Sequence, residues 1–239
     1  MTTADQRALH QKLAGPKFYG RRKGKKLRTR QQEAFDTLLP AMRIAVGDED
    51  AATNPESFFA QAVEQVWLEI GFGMGEHLVW HAAQNPKIGM IGCEPFLNGI
   101  ASLCLQAQEQ SLGNIRLWPE DARLFMRKLK PASIDRCFII NSDPWPKTRH
   151  HKRRFIQTET LDELARLLKP GAELRMATDH AALAGWLVEK TYFHPAFEWT
   201  AQSAADWRTR PDDLPETKFQ NKGLKAGRPT VFLNFRRRG

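Results

Sequence analysis

A chain of 239 residues with 41% hydrophobic and 26% charged residues is long enough to bury a core without disulfides, which excludes fibrous, mucin-like and wholly disordered classes. Its charge is uneven. There are 36 Lys and Arg against 27 Asp and Glu, a net +9, and residues 1–30 hold ten of the bases with one acid, Asp5, leaving 26 of each sign beyond. Such an arm points to a polyanionic partner more directly than an evenly spread excess does.

Residues 1–30 carry few aliphatics, so the expectation is a disordered basic arm followed by one domain over 31–239. Residues 31–46 have helical spacing with a stop near Pro40, and the acidic stretch from Gly47 to Asp50 leads into a loop at Asn54-Pro55. From there apolar runs alternate with helical spacing. Strands are expected at Val66–Ile70, Lys87–Cys93, Ile115–Trp118, Ile134–Ile140, Glu173–Ala177 and Thr230–Phe235. Helices are expected after the Gly71–Gly75 loop and over Leu97–Gln110, Asp121–Leu129, Arg154–Leu168 and Ala181–Lys190, with Lys169-Pro170-Gly171 as a helix stop. This order predicts an α/β protein: a mostly parallel sheet with helices on both faces, ending at the Thr230–Phe235 strand. Ligands on such sheets bind at the carboxyl ends of the strands.

Three lone cysteines, Cys93, Cys104 and Cys137, suit a reducing compartment. No apolar run reaches the roughly 18 residues of a membrane span, and the start lacks the apolar stretch of a secretory signal. A cytoplasmic protein is expected, as monomer or homodimer. The Arg- and Lys-rich start also imitates a transit peptide or a nuclear import signal, patterns weaker than a nucleic-acid-binding arm.

The carboxyl edge carries the informative residues. Glu69-Ile70-Gly71-Phe72-Gly73-Met74-Gly75 ends the first strand. It is not the dinucleotide fingerprint, because Glu76 stands where glycine or alanine is needed and would repel a pyrophosphate. Acids follow at the ends of the next strands, Glu94 and Asp121. Each alone also reads as a strand-end carboxylate or a helix N-cap. Together, the acid-and-glycine pattern resembles the cofactor loop of class I S-adenosylmethionine (SAM) methyltransferases, and the resemblance implies a Rossmann-like α/β fold whose C-terminal strand is antiparallel.

After the fourth strand comes Asp143-Pro144-Trp145-Pro146-Lys147-Thr148-Arg149-His150-His151-Lys152-Arg153-Arg154. A carboxylate, a stiff aromatic loop and a basic run suit a planar base beside a phosphate backbone. This run resembles that of bacterial tRNA (guanine-N7)-methyltransferases, which modify a guanine in the tRNA variable loop. The basic segment from Arg21 to Phe35, Thr178-Asp179, and Thr217-Lys218-Phe219-Gln220 with Gly223 agree with it, although the family has glutamate where Gln220 stands. The resemblance implies SAM as cofactor and tRNA as partner. Glu69, Gly71, Gly73, Gly75, Glu94, Asp121 and Asp143 would serve the cofactor, with Asp143 also catalytic. Lys147, Asp179, Thr217, Lys218, Phe219 and Gln220 would hold the substrate, and Arg149, His150, His151, Lys152, Arg153 and Arg154 would contact RNA.

The competing readings are a methyltransferase of exocyclic amines on adenine or cytosine, a nicotinamide dehydrogenase and a non-catalytic RNA-binding module. The Thr-Lys-Phe block counts against the first, Glu76 against the second and the strand-end acids against the third. His77 and His81 stand at i, i+4 but lack a third ligand, so packing is expected rather than zinc.

Overall fold

In β1 (Gln65–Ile70), side chains alternate between two hydrophobic layers, and that alternation sets the architecture. Val66, Leu68 and Ile70 enter one core cluster, and Trp67 enters the other. The structure is a computed structural model describing residues 18–47 and 52–239. The remaining strands are β2 (Ile88–Cys93), β3 (Ile115–Trp118), β4 (Ile134–Ile140), β5 (Leu168–Thr178), β6 (Phe197–Trp199) and β7 (Val231–Arg237). The helices are α1 (Thr29–Met42), α2 (Glu76–Gln84), α3 (Leu97–Glu109), α4 (Ala122–Met126), α5 (Thr158–Leu167), α6 (Ala181–Tyr192), α7 (Ala205–Arg208) and α8 (Lys218–Lys225).

The sheet order is β3-β2-β1-β4-β5-β7-β6. Strands β1 to β5 pair in parallel, and β7 runs antiparallel to both β5 and β6. Residues of α1, α2 and α3 pack on one face, and those of α4, α5 and α6 on the other. The expected α/β architecture with a C-terminal antiparallel strand is therefore the observed one. The order reverses between β1 and β4, and a crevice opens at such a switch point.

Several expected boundaries move. Helix α1 begins at Thr29, inside the expected arm, and Pro40 lies within it rather than stopping it. Beyond Met42 the chain turns along the sheet edge, where the Ile44 N–H donates to the Leu117 carbonyl. Strand β5 starts at Leu168, ahead of the Pro170-Gly171 stop. The sheet absorbs that dipeptide through a register shift between Ile134 and Arg136, with Gly171 at φ +80. Helix α5 begins at Thr158, because Thr148–Arg153 forms a separate 3-10 turn. The Gln157 side chain donates to the carbonyls of His151 and Arg154, satisfying groups that a longer helix would have used. Strand β6 has no counterpart among the expected strands, because it has three residues and exists only by pairing with β7. Residues 1–17 and 48–51, most of the arm and most of the acidic insertion, lie outside the described residues.

A charge cluster fixes the chain between α7 and α8. Asp213 pairs with Arg175 and Arg136, and Glu173 pairs with both arginines. Burial opposes ionisation of Asp213, but its bonds to Arg175 and Arg136 prevail and hold its pKa down to about 2. The cluster thus contributes stability above the ordinary carboxylate range and loses it as pH falls toward 2.

Candidate active site

The carboxyl ends of β1, β2 and β4 surround a cavity of about 400 Å³. Gly71 and Gly73 form its floor at φ +75 and +56, and a Cβ on either would meet nothing within 4 Å. Only glycine takes these angles without strain, and the backbone there faces open space. Glu94 braces this loop: one carboxylate oxygen accepts from the Gly73 N–H and the other from the Phe96 N–H, both at 2.9 Å. Burial raises its pKa, and the backbone bonds counteract that in part.

Asp121 lies on the cavity wall and also caps α4, accepting from the Arg123 N–H at 2.9 Å and pairing with the Arg123 side chain at 2.6 Å. The N-cap reading and the pocket reading of this residue coexist. Asp143 is exposed in the cavity, and partial burial raises its pKa. Its loop is strained on both sides, with Asn141 at φ 53 and Trp145 at φ 41. Left-handed backbone at a tryptophan costs about 1–3 kcal/mol and persists only where surrounding structure imposes it. Asn141 Oδ1 is buried on the cavity wall without a hydrogen-bond partner.

Two expected cofactor residues stand elsewhere. Glu69 is not on the cavity wall. The alternation of β1 turns it beneath α2, where its carboxylate meets His77 Nδ1 at 2.8 Å, and His77 in turn meets His81 at 3.1 Å. The expected packing role of both histidines is thus observed, with burial, His77 and Arg136 driving the His81 pKa down to about 2. Gly75 is required by close packing, since a Cβ would lie 2.7 Å from Leu103.

The basic run divides in two. Arg154 is 3% exposed; its Nε donates to the Pro144 carbonyl at 2.9 Å and its guanidinium lies over Trp186. It braces the Asp-Pro-Trp-Pro loop, so the expected RNA contact is corrected. His151 is half-buried against Trp186. Lys147, Arg149 and Lys152 are exposed. Arg153 lies over the rings of Trp145 and Tyr19 at the cavity, with Nε buried and unpartnered, and His150 meets Trp145 edge-on. We expect Arg154→Ala to lower stability and loosen the loop while leaving the salt slope of RNA binding unchanged; thermal unfolding and salt-titrated binding check this.

The expected substrate block forms a separate cluster. Thr217 caps α8 by accepting from the Gln220 N–H, and the Gln220 side chain accepts from the Thr217 N–H. This capping box takes glutamine or glutamate alike, so the change at position 220 leaves the local fold intact. Asp179 is paired with Arg228 at 3.0 Å and would lie 2.7 Å from a Cβ at Gly223. The Phe219 side chain lies outside what is described.

Phe18, Tyr19, Gly20 and Arg21 form a wall of the cavity. Asn98 pins the following turn, accepting from the Gly24 N–H and donating to the Lys25 carbonyl, both at 2.7 Å. Composition conceals this wall, since an aromatic pair inside a basic arm has no period to mark it.

A family model described as "Putative methyltransferase" matches residues 63–233. A tRNA (guanine-N(7)-)-methyltransferase of Rhodospirillum rubrum is 47% identical over 93% of this chain and 88% of that protein. The chain belongs to this methyltransferase family. Proteins of the same name from Paramagnetospirillum magneticum and Rhizobium meliloti are 47% and 43% identical, covering 93% and 92% of this chain and 93% and 94% of theirs. The solved structure of 16S rRNA methyltransferase KamB matches with a TM-score of 0.51 at 14% identity, over 74% of this methyltransferase and 89% of KamB, a likeness of fold alone. No described helix is long and apolar enough to cross a membrane, and no group of potential metal ligands occurs among the described residues.

Proposed function

We propose that the protein transfers a methyl group from S-adenosylmethionine to N7 of a guanine in the variable loop of tRNA, giving 7-methylguanosine. The observation that carries this reading is the cavity at the β1–β4 switch point, with a glycine floor, acids from successive strand ends on its wall and Arg153 of the basic run beside them. Family membership supplies the reaction class. The catalytic unit is one domain whose first helix starts at Thr29, two residues before the expected boundary at 31, and the end of the basic arm, Phe18 to Arg21, adds a wall to its cavity.

The residues present fit the cofactor. The open glycine floor admits a close backbone approach, Asn141 Oδ1 is a free acceptor, and acids suit a ligand carrying an ammonium and a sulfonium. Gly71, Gly73, Glu94, Asp121 and Asp143 would hold it, with Glu69 and Gly75 acting from behind the loop. S-adenosylmethionine supplies an electrophilic methyl group there.

No side chain needs to remove a proton before attack, because N7 of guanine already carries a free lone pair. The chain's task is alignment and water exclusion. Guanine becomes cationic as N7 is alkylated, and the Asp143 carboxylate stabilises that charge. Asp179 and the Thr217–Gln220 block hold the base edge, and Lys147, Arg149, His150, Lys152 and Arg153 serve the RNA backbone. The compartment that fits a tRNA-modifying protein is the cytoplasm.

The deciding experiment incubates the protein with labelled S-adenosylmethionine and unmodified tRNA, then digests the RNA and identifies the nucleoside. Labelled 7-methylguanosine is expected; label on an exocyclic amine of adenine or cytosine overturns the reading. Glu94→Ala is expected to weaken cofactor binding by about 1–3 kcal/mol, the worth of a hydrogen bond to a charged group. Calorimetry checks it, and unchanged affinity removes Glu94 from the pocket.

A further inference from the structure

Glu76 is the first residue of α2, directly after the glycine loop. Its side chain crosses to the far end of the sequence. One carboxylate oxygen accepts from the Lys218 backbone N–H at 2.9 Å, and the other lies 3.3 Å from Lys218 Nζ. Lys218 is the first residue of α8, whose cap is Thr217. The first N–H groups of a helix have no partner within it. Here Thr217 takes the N–H of Gln220, Gln220 takes that of Thr217, and Glu76 takes that of Lys218. A carboxylate at this place also favours the positive ends of two helix dipoles at once, those of α2 and α8.

The two ends of this carboxylate bridge belong to different halves of the site. On one side is the loop whose Gly71 and Gly73 floor the cavity. On the other is the block assigned above to the guanine. The block has a second anchor, Asp179 with Arg228, so it is held at both the start of α8 and the turn after it. No other described side chain is seen to join the glycine loop to the block. Sequence patterns give Glu76 only a negative role, disfavouring a pyrophosphate.

We propose that Glu76 is a positioning residue that ties the glycine loop to the Thr217–Gln220 block, setting the donor side and the base side of the site in one register. The proposal rests on the functional reading above. In-line transfer depends steeply on the separation and angle of the reacting atoms, and an error near 1 Å costs on the order of a hundredfold in rate. A tie between the two halves therefore acts on turnover more than on the affinity of either ligand.

The test measures kcat, the KM for tRNA, calorimetric SAM affinity and amide hydrogen exchange over Lys218–Lys225 in the full chain, for wild type, Glu76→Ala and Glu76→Gln. Glu76→Ala is expected to lower kcat by about tenfold or more, to leave SAM affinity little changed and to speed exchange at the start of α8. Glu76→Gln keeps an oxygen for the Lys218 N–H and is expected to recover most of the turnover and the protection. Wild-type kcat in Glu76→Ala overturns the proposal. So does a loss that appears in SAM affinity instead of kcat, or Gln and Ala variants equally impaired with exchange unchanged. If Glu76→Ala does not fold, the Gln variant decides, and wild-type kcat with slow exchange is the supporting result. Absence of 7-methylguanosine from the wild-type reaction defeats the functional reading, whereas the exchange data still report whether Glu76 holds α8.

Discussion

Asp143→Ala is expected to lower turnover by about two to three orders of magnitude, the effect of removing one electrostatic stabiliser of a transition state. The residue follows β4 at the sheet's switch point and faces the cavity, and no described side chain bonds to or pairs with its carboxylate. Its backbone position is imposed by neighbours: left-handed Asn141 before it, left-handed Trp145 after it, and the Arg154 guanidinium bonded to the Pro144 carbonyl. Removing the carboxylate therefore leaves the loop in place, and SAM affinity falls less than turnover. The ionised form is the active one, because only it offsets a cationic base. Burial raises the Asp143 pKa, so activity is lost as pH falls through a value above the ordinary carboxylate range near 3.9. In Asp143→Asn that acid limb disappears. Near-normal single-turnover rates at saturating tRNA in either variant dismiss the electrostatic role.

Deleting residues 1–28 is expected to damage both ligand sites at once. The cut stops before α1, so the helix and its packing on the sheet remain. It removes nine Lys and Arg and one acid. Taking away one phosphate-binding cation flattens the log–log salt dependence of RNA binding by roughly 0.7–0.9. The exposed Lys147, Arg149 and Lys152 persist, so RNA binding falls without vanishing. Charge alone predicts that cofactor affinity is untouched. The structure predicts otherwise, because Phe18 to Arg21 wall the cavity and the Asn98 side chain holds the turn behind them. Removing this wall opens the cavity to water and lowers SAM affinity. Calorimetry with SAM and salt-titrated tRNA binding separate the two effects. An unchanged salt slope excludes the arm from the RNA interface, and unchanged SAM affinity excludes it from the cofactor site.

The sequence by itself determines the strand–helix order, the glycine loop, the acids Glu94, Asp121 and Asp143 at strand ends, and the uneven charge. These are local properties: alternation of period two, helical spacing of apolar residues and turn chemistry each act over a few neighbours, so they survive without knowledge of the fold. Even there the pattern misplaces Glu69, because a strand-end position does not say which face a side chain takes, and alternation turns it toward His77. Arg154 groups with its charged neighbours in sequence for a related reason. Charge is visible in sequence, but burial against Trp186 and a bond to a carbonyl ten residues earlier are not. Tertiary structure alone decided the wall made by Tyr19, the latch at Asn98 and the tie from Glu76 to Lys218. Each joins groups separated by dozens of residues, 142 in the case of Glu76. Such pairings form only after the sheet has brought its carboxyl ends together, and no local pattern records them.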